Sequence, residues 1–125
     1  MTEQTPQERR HFSRIRFDAP VQLIGANRRW ETSLIDISLK GALIGRPADW
    51  DGRPGDRVTL ELPLDETGTQ LIRMEANVAR AEPERVGLAC AFIDVDSITH
   101  LRRLLELNLA DPKLLERELA AMMAL

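Results

Sequence analysis

The sequence predicts a mainly β protein: a six-stranded antiparallel β-barrel, entered by a flexible N-terminal arm and followed by C-terminal α-helices. Between residues 21 and 93, short apolar stretches recur with period 2, separated by clusters of Gly, Pro, Asn and Asp. After Ile93 the period changes to 3.6, and before residue 14 there is no apolar periodicity. A chain of 125 residues is a single domain by the usual ~100–200 residues per domain, and it can bury a core without disulfide or metal staples.

Residues 1–13 are polar, contain Pro6 and form the arm, whose order would have to come from something it binds. The barrel, residues 14–95, is assigned the strands VQLIG, RWETSLIDIS, GALIG, DRVTLEL, QLIRMEANVAR and RVGLACAFI, with turns at ANRR, RPADWDGRPGD and PLDETGT. Alternation is strictest in Val58-Leu60-Leu62 and Ile72-Met74-Ala76-Val78, so these rows face the core. Closure into a barrel is how such a sheet removes its edges. Trp30 opens a strand and is expected to pack; Trp50, between two aspartates, anchors a loop.

The helical segment is residues 96–125. Ile98, Leu101, Leu104 and Leu105 form one stripe behind an Asp96 or Ser97 cap. A second helix opens at Asp111-Pro112 and carries Leu114, Leu115, Leu119, Met122 and Met123. These stripes either cover the barrel and each other or, at the Met122 end, meet a partner. Cys90 is in phase with Val86, Leu88 and Phe92 and reads as a small buried hydrophobe; being the single cysteine, it excludes an internal disulfide and a cysteine-based zinc site.

No run of ~18 apolar residues is long enough to span a bilayer, and the opening MTEQTPQERR lacks the pattern of a secretory signal, so a cytoplasmic protein is expected. The absence of a heptad seam favours a monomer. Catalysis is not signalled. His11 and His100 have no ligand-spaced partner, and no GxSxG, GxGxxG or Walker motif is present, so no catalytic residue, metal or cofactor is expected.

Charge is distributed unevenly. Residues 1–30 carry six arginines against Glu3, Glu8 and Asp18, a local +3 that leaves −6 on the remainder of a chain whose total is −3. A basic edge on an acidic body collects a compact anion and discourages DNA or RNA. The aromatics, three Phe and two Trp without Tyr, are too few for a single-strand-binding groove.

Two local patterns carry binding chemistry. In Arg9-Arg10-His11-Phe12-Ser13-Arg14, three guanidinium forks within six residues can chelate phosphates, dock on guanine O6 and N7, or stack on a purine; alone, such a run is more often a solvated tail. In Asp36-Ile37-Ser38-Leu39-Lys40-Gly41, period-2 geometry puts Asp36 and Ser38 on one outward face, opposite Ile35 and Ile37. The carboxylate is a good acceptor for guanine N1–H and N2–H, and Gly41 permits a tight turn or a close backbone approach. Read by itself, this stretch is equally a strand ending in a turn, with Asp36 and Ser38 satisfying backbone donors.

Together, R-x-x-x-R followed by D-x-S-x-x-G at a strand end resembles the PilZ family of cyclic di-GMP receptors. Ala76-Asn77-Val78-Ala79-Arg80 and Val86-Gly87-Leu88-Ala89-Cys90-Ala91-Phe92 resemble that family's later strands, and the helical tail is similar to that of short stand-alone members. The resemblance implies that Arg10 and Arg14 grip phosphates and guanine Hoogsteen edges, Asp36 and Ser38 hydrogen-bond a guanine, and Gly41 makes room. Arg9 matches a position linked in the family to two stacked ligand molecules.

Where many relatives carry a large apolar residue near the ligand, this chain has Arg80. By alternation Arg80 belongs to the core-facing row of Val78, so it either emerges at a barrel mouth or is turned by a bulge, and there it either stacks on the ligand or reaches solvent. The expected function is that of a non-enzymatic receptor whose arm orders over the ligand and changes the surface offered to a downstream protein. The alternative is a PilZ-like interaction module that no longer binds nucleotide.

Overall fold

The computed structural model describes residues 15–108 and Ala120. The arm, with Arg9, Arg10 and Arg14, and all of the second predicted helix except Ala120 lie outside the described residues. The strands are β1 (Ile15–Ile24), β2 (Arg29–Ser38), β3 (Gly41–Gly45), β4 (Arg57–Pro63), β5 (Leu71–Ala81) and β6 (Arg85–Ile93), followed by helix α1 (Val95–Asn108). They form a closed antiparallel barrel in the order β1-β2-β3-β6-β5-β4, with β4 returning to β1.

The predicted core rows are in place: Val58, Leu60 and Leu62 on β4 and Ile72, Met74, Ala76 and Val78 on β5 are all buried. β1 starts earlier than VQLIG. Its pairing with β4 begins only at Gln22, so Pro20 interrupts no ladder on that side.

Of four register shifts in the barrel, one of them early in β1 between positions 16 and 19, three change the alternation read from sequence. On β2, Leu34 pairs with Ile44 and Asp36 with Leu43, so Ile35 is the extra residue. Leu34 and Ile37 therefore both enter the core at 1 % and 0 % exposure, and Ile35, expected to face inward, stays outside the core cluster. On β6, Glu75 pairs with Phe92 and Ala76 with Cys90. Ala91 is the extra residue, and Phe92, expected in phase with Cys90, is 60 % exposed. On β5, Ala79 is extra and sets the orientation of Arg80.

The cap of helix α1 lies ahead of the expected Asp96 or Ser97. Asp94 is the cap: its Oδ2 accepts from the Ser97 N–H at 3.4 Å and its carbonyl from Ile98 N–H at 2.9 Å. Ser97, expected as a possible cap, is buried and accepts the Arg73 N–H at 2.9 Å, fastening the helix to β5. Leu101 and Leu105, fully buried, join the barrel core, with Ile98 and Leu104 packed beside them.

Trp50 is buried, with the Arg46 guanidinium 5.1 Å from its ring, and Arg46 Nη2 donates to the Trp50 carbonyl at 3.1 Å. Trp30 packs against the core beneath Arg28.

Candidate functional site

Directly paired residues on neighbouring strands share a face, so the register resolves the barrel wall into rows. One row, Ile15–Ile37–Ala42–Leu88–Val78, is buried throughout. The next row outward is Asp36–Leu43–Gly87–Arg80, and the outer row on its other side is Ser38–Gly41–Ala89–Asn77. Asp36 and Ser38 thus flank the core residue Ile37, but only Asp36 keeps partial exposure; Ser38, expected on the outward face, is buried because its hydroxyl turns into the β2–β3 turn. The chain enters the barrel beside them, since Ile15 pairs with Ile37 and position 16 with Asp36. Arg14 immediately precedes that entry in sequence.

Ser38 and Gly41 are heavily used by the fold. Ser38 is 5 % exposed; its Oγ accepts the Lys40 N–H at 3.2 Å and lies 3.5 Å from the Gly41 carbonyl, so the hydroxyl braces the β2–β3 turn. A Cβ on Gly41 would lie 2.0 Å from the Leu88 carbonyl oxygen. Only glycine allows β3 to approach β6 this closely, and the ladder continues past it through Cys90 N–H to the Lys40 carbonyl at 2.7 Å.

Arg80 is turned outward by the Ala79 bulge and does not emerge through the core. Its side chain crosses β6: a Cβ on Gly87 would lie 3.8 Å from both Arg80 Cβ and Nε. Asp36 on β2 and Arg80 on β5 belong to the same row, three strands apart around the six-stranded barrel. Leu43 and Gly87 lie between them.

Asn77, which the sequence reading did not single out, is half-buried at the end of the second outer row. Its Oδ1 accepts a 2.9 Å hydrogen bond from Arg57 Nε, and Arg57 Nη1 lies 3.7 Å from Glu75 Oε1. Its signal in the sequence is only that it is an outward polar position within Met74-Glu75-Ala76-Asn77-Val78. Beyond it, Cys90 packs against the core, and burial pushes its thiol pKa up despite the opposing Lys40 charge.

The outer rows therefore carry an acceptor on β2 and donors on β5, with Leu43 and Gly87 between them in one row and Gly41 and Ala89 in the other. These groups suit hydrogen bonding and stacking of a planar polar ligand. Among the described residues no cluster of three or more His, Cys, Asp or Glu could hold a metal ion, and no helix is long and apolar enough to cross a membrane.

The sequence model of the PilZ domain family matches residues 8–107. Among solved structures, the PilZ domain of CeSA from a cellulose-synthesizing bacterium superposes with a TM-score of 0.60 at 19% identity, covering 74% of this chain and 93% of that one. The inhibitor of motility MotI/DgrA of Bacillus subtilis gives 0.59 at 21% identity, covering 76% of this chain and 51% of that longer one. An uncharacterized Legionella protein gives 0.51 at 18% identity, with 76% and 91% coverage. At these identities the likeness to each structure is one of fold.

Proposed function

The chain belongs to the PilZ domain family, whose members are generally cyclic di-GMP-binding and adaptor modules, and from that premise we propose that it is a non-enzymatic receptor for cyclic di-GMP. The observation that carries the reading is the place of Asp36: it lies in an outer row of β2, paired with position 16, beside the point where the chain that follows Arg14 enters the barrel.

In this reading Asp36 accepts N1–H and N2–H of a guanine, and Arg10 and Arg14 bind phosphates and the Hoogsteen edge. Arg80, whose Nε lies beside Gly87, offers its guanidinium plane to a base. Arg9 adds charge for a second, stacked ligand molecule. Ser38 contributes by redirecting its hydroxyl from the 3.5 Å Gly41 contact, and Gly41 makes room. Neutralising the arm's arginines with phosphate folds the arm over this face, and a downstream protein reads the new surface. The receptor is a cytoplasmic monomer that uses no cofactor.

One observation favours a second reading, an interaction module without nucleotide: Ser38 and Gly41 are both explained by the turn and the β3–β6 approach alone. Titration calorimetry separates the two. The receptor reading expects saturable heat with cyclic di-GMP on the native chain and its loss in Arg10→Ala and Asp36→Ala; no heat with the native chain ends it. Amide exchange across residues 5–15 should slow at saturating ligand, and unchanged exchange would remove the arm-ordering mechanism.

A further inference from the structure

We infer that the barrel end opposite the arm carries a second binding site, an aromatic and acidic cavity that receives an arginine side chain of a partner protein; this goes beyond the cyclic di-GMP reading and does not depend on it. The arm enters where Ile15 pairs with Ile37, whereas Trp30 pairs with Leu23 at the other end of the same two strands, next to the β1–β2 turn. There a cavity of about 270 Å³ is lined by Trp30, Trp50, Asp51, Asp56, Arg57 and Val58, with two glycines and an alanine completing the wall. It is just smaller than the ~300–1,000 Å³ usual for small-molecule pockets, which suits one long side chain rather than a dinucleotide.

Both tryptophans of the chain line this cavity. Each stacks a guanidinium of the chain's own: Arg28 lies 5.2 Å from the Trp30 ring centroid and Arg46 5.1 Å from that of Trp50. Neither arginine belongs to the cavity lining, so both reach their rings from outside it. Trp30 Nε1 is buried without a hydrogen-bond partner, a donor in this wall that the fold itself does not satisfy.

The charges select the ligand. Arg57 is matched within the barrel, since it donates to Asn77 and lies 3.7 Å from Glu75. Asp51 and Asp56 have no ion-pair partner among the described residues; the Asp56 carboxylate accepts the Arg53 backbone N–H at 2.9 Å. Two unmatched carboxylates beside indole rings favour a cation and repel an anion. Guanidinium fits better than ammonium, because it is planar, weakly hydrated and able to stack while it hydrogen-bonds carboxylates. Arginine and tryptophan are also the residue types that dominate binding energy at protein interfaces.

Intrinsic fluorescence reads this cavity directly, because its two indoles are the only ones in the chain and there is no tyrosine. The full chain is titrated with Nα-acetyl-arginine amide, and with the corresponding lysine and leucine amides as controls. The arginine probe should give a saturable change with a millimolar midpoint, the scale expected of a single side chain. Lysine should bind several-fold more weakly and leucine should give no saturable change. Asp51→Asn and Asp56→Asn should each weaken the arginine probe roughly tenfold, as for one lost hydrogen bond to a charged group. Asp56→Asn keeps an acceptor for the Arg53 N–H, so the loop is retained. Glu66→Gln removes the same charge from the β4–β5 turn and should leave the titration unchanged. The inference is overturned by absence of saturation with arginine, by an equal response to lysine or leucine, by aspartate variants that titrate like the native chain, or by an equal effect of Glu66→Gln. Each of these outcomes is read without nucleotide, so the receptor reading stands or falls separately.

Discussion

Replacing Gly41 by alanine tests whether this glycine is demanded by the barrel before any ligand arrives. The added Cβ would lie 2.0 Å from the Leu88 carbonyl oxygen, 3.1 Å from its carbon and 3.3 Å from Ala89 Cα, all backbone atoms that cannot swing aside. β3 and β6 must therefore separate by about 1 Å, an overpacking that costs about 1–3 kcal/mol. The shift also strains the 2.7 Å Cys90 N–H to Lys40 carbonyl bond and the pairing beside it, at about 1 kcal/mol per bond lost. A total of about 2–4 kcal/mol is expected, against a typical domain stability of ~5–15 kcal/mol. The variant should remain folded at 25 °C, with a melting temperature roughly 10–25 °C lower. Urea unfolding followed by far-UV circular dichroism, without nucleotide, should show a lower midpoint at unchanged slope. A change below ~0.5 kcal/mol would refute the packing argument and return Gly41 to the ligand face alone.

Asp94→Ala should lower stability by about 0.5–2 kcal/mol at pH 7 through loss of the α1 cap. The Ser97 hydrogen bond holds the Asp94 pKa below its usual value despite opposing desolvation; the carboxylate's contribution is therefore complete above the unfolded pKa of ~3.9 and fades as pH falls through the folded value. The gap in urea midpoint between native and variant should accordingly be full at pH 7 and narrow as pH falls below the unfolded value. Cys90 should react with a disulfide reagent at pH 8 more slowly in the folded than in the urea-unfolded chain, because burial raises its thiol pKa. Phe92→Ser should change stability by no more than ~0.5 kcal/mol, because the ring is 60 % exposed; a loss of ~3 kcal/mol would mean that it packs inward after all.

The barrel was legible where one residue type followed another without interruption. Val58-Leu60-Leu62 and Ile72-Met74-Ala76-Val78 alternate strictly because β4 and β5 pair without a slip over those stretches. Ile35, Ala79 and Ala91 were not legible as bulges, since an extra residue changes the phase of a strand and leaves its composition intact. The outward turn of Phe92 follows from that blindness, as does the choice left open for Arg80.

The cap of α1 was hidden for another reason. Asp94, Asp96 and Ser97 are all good capping types, and only the tertiary bond from Arg73 N–H to Ser97 shows which role Ser97 takes. In the candidate site, Asp36 keeps the partial exposure read for it, whereas the burial of Ser38 and its bracing of the turn depend on the fold of residues 38–41. Asn77 could not be distinguished from any solvent-facing polar residue until Arg57 was seen to fix its amide.

The bulge at Ala79 also bears on how such a site can diverge. By pushing residue 80 out of the core row, it separates the size and polarity of that side chain from barrel packing. Position 80 can then pass between arginine and a bulky apolar residue without either state having to fit the interior, so ligand preference can drift along a path that foldability does not police. Position 41 has no such freedom.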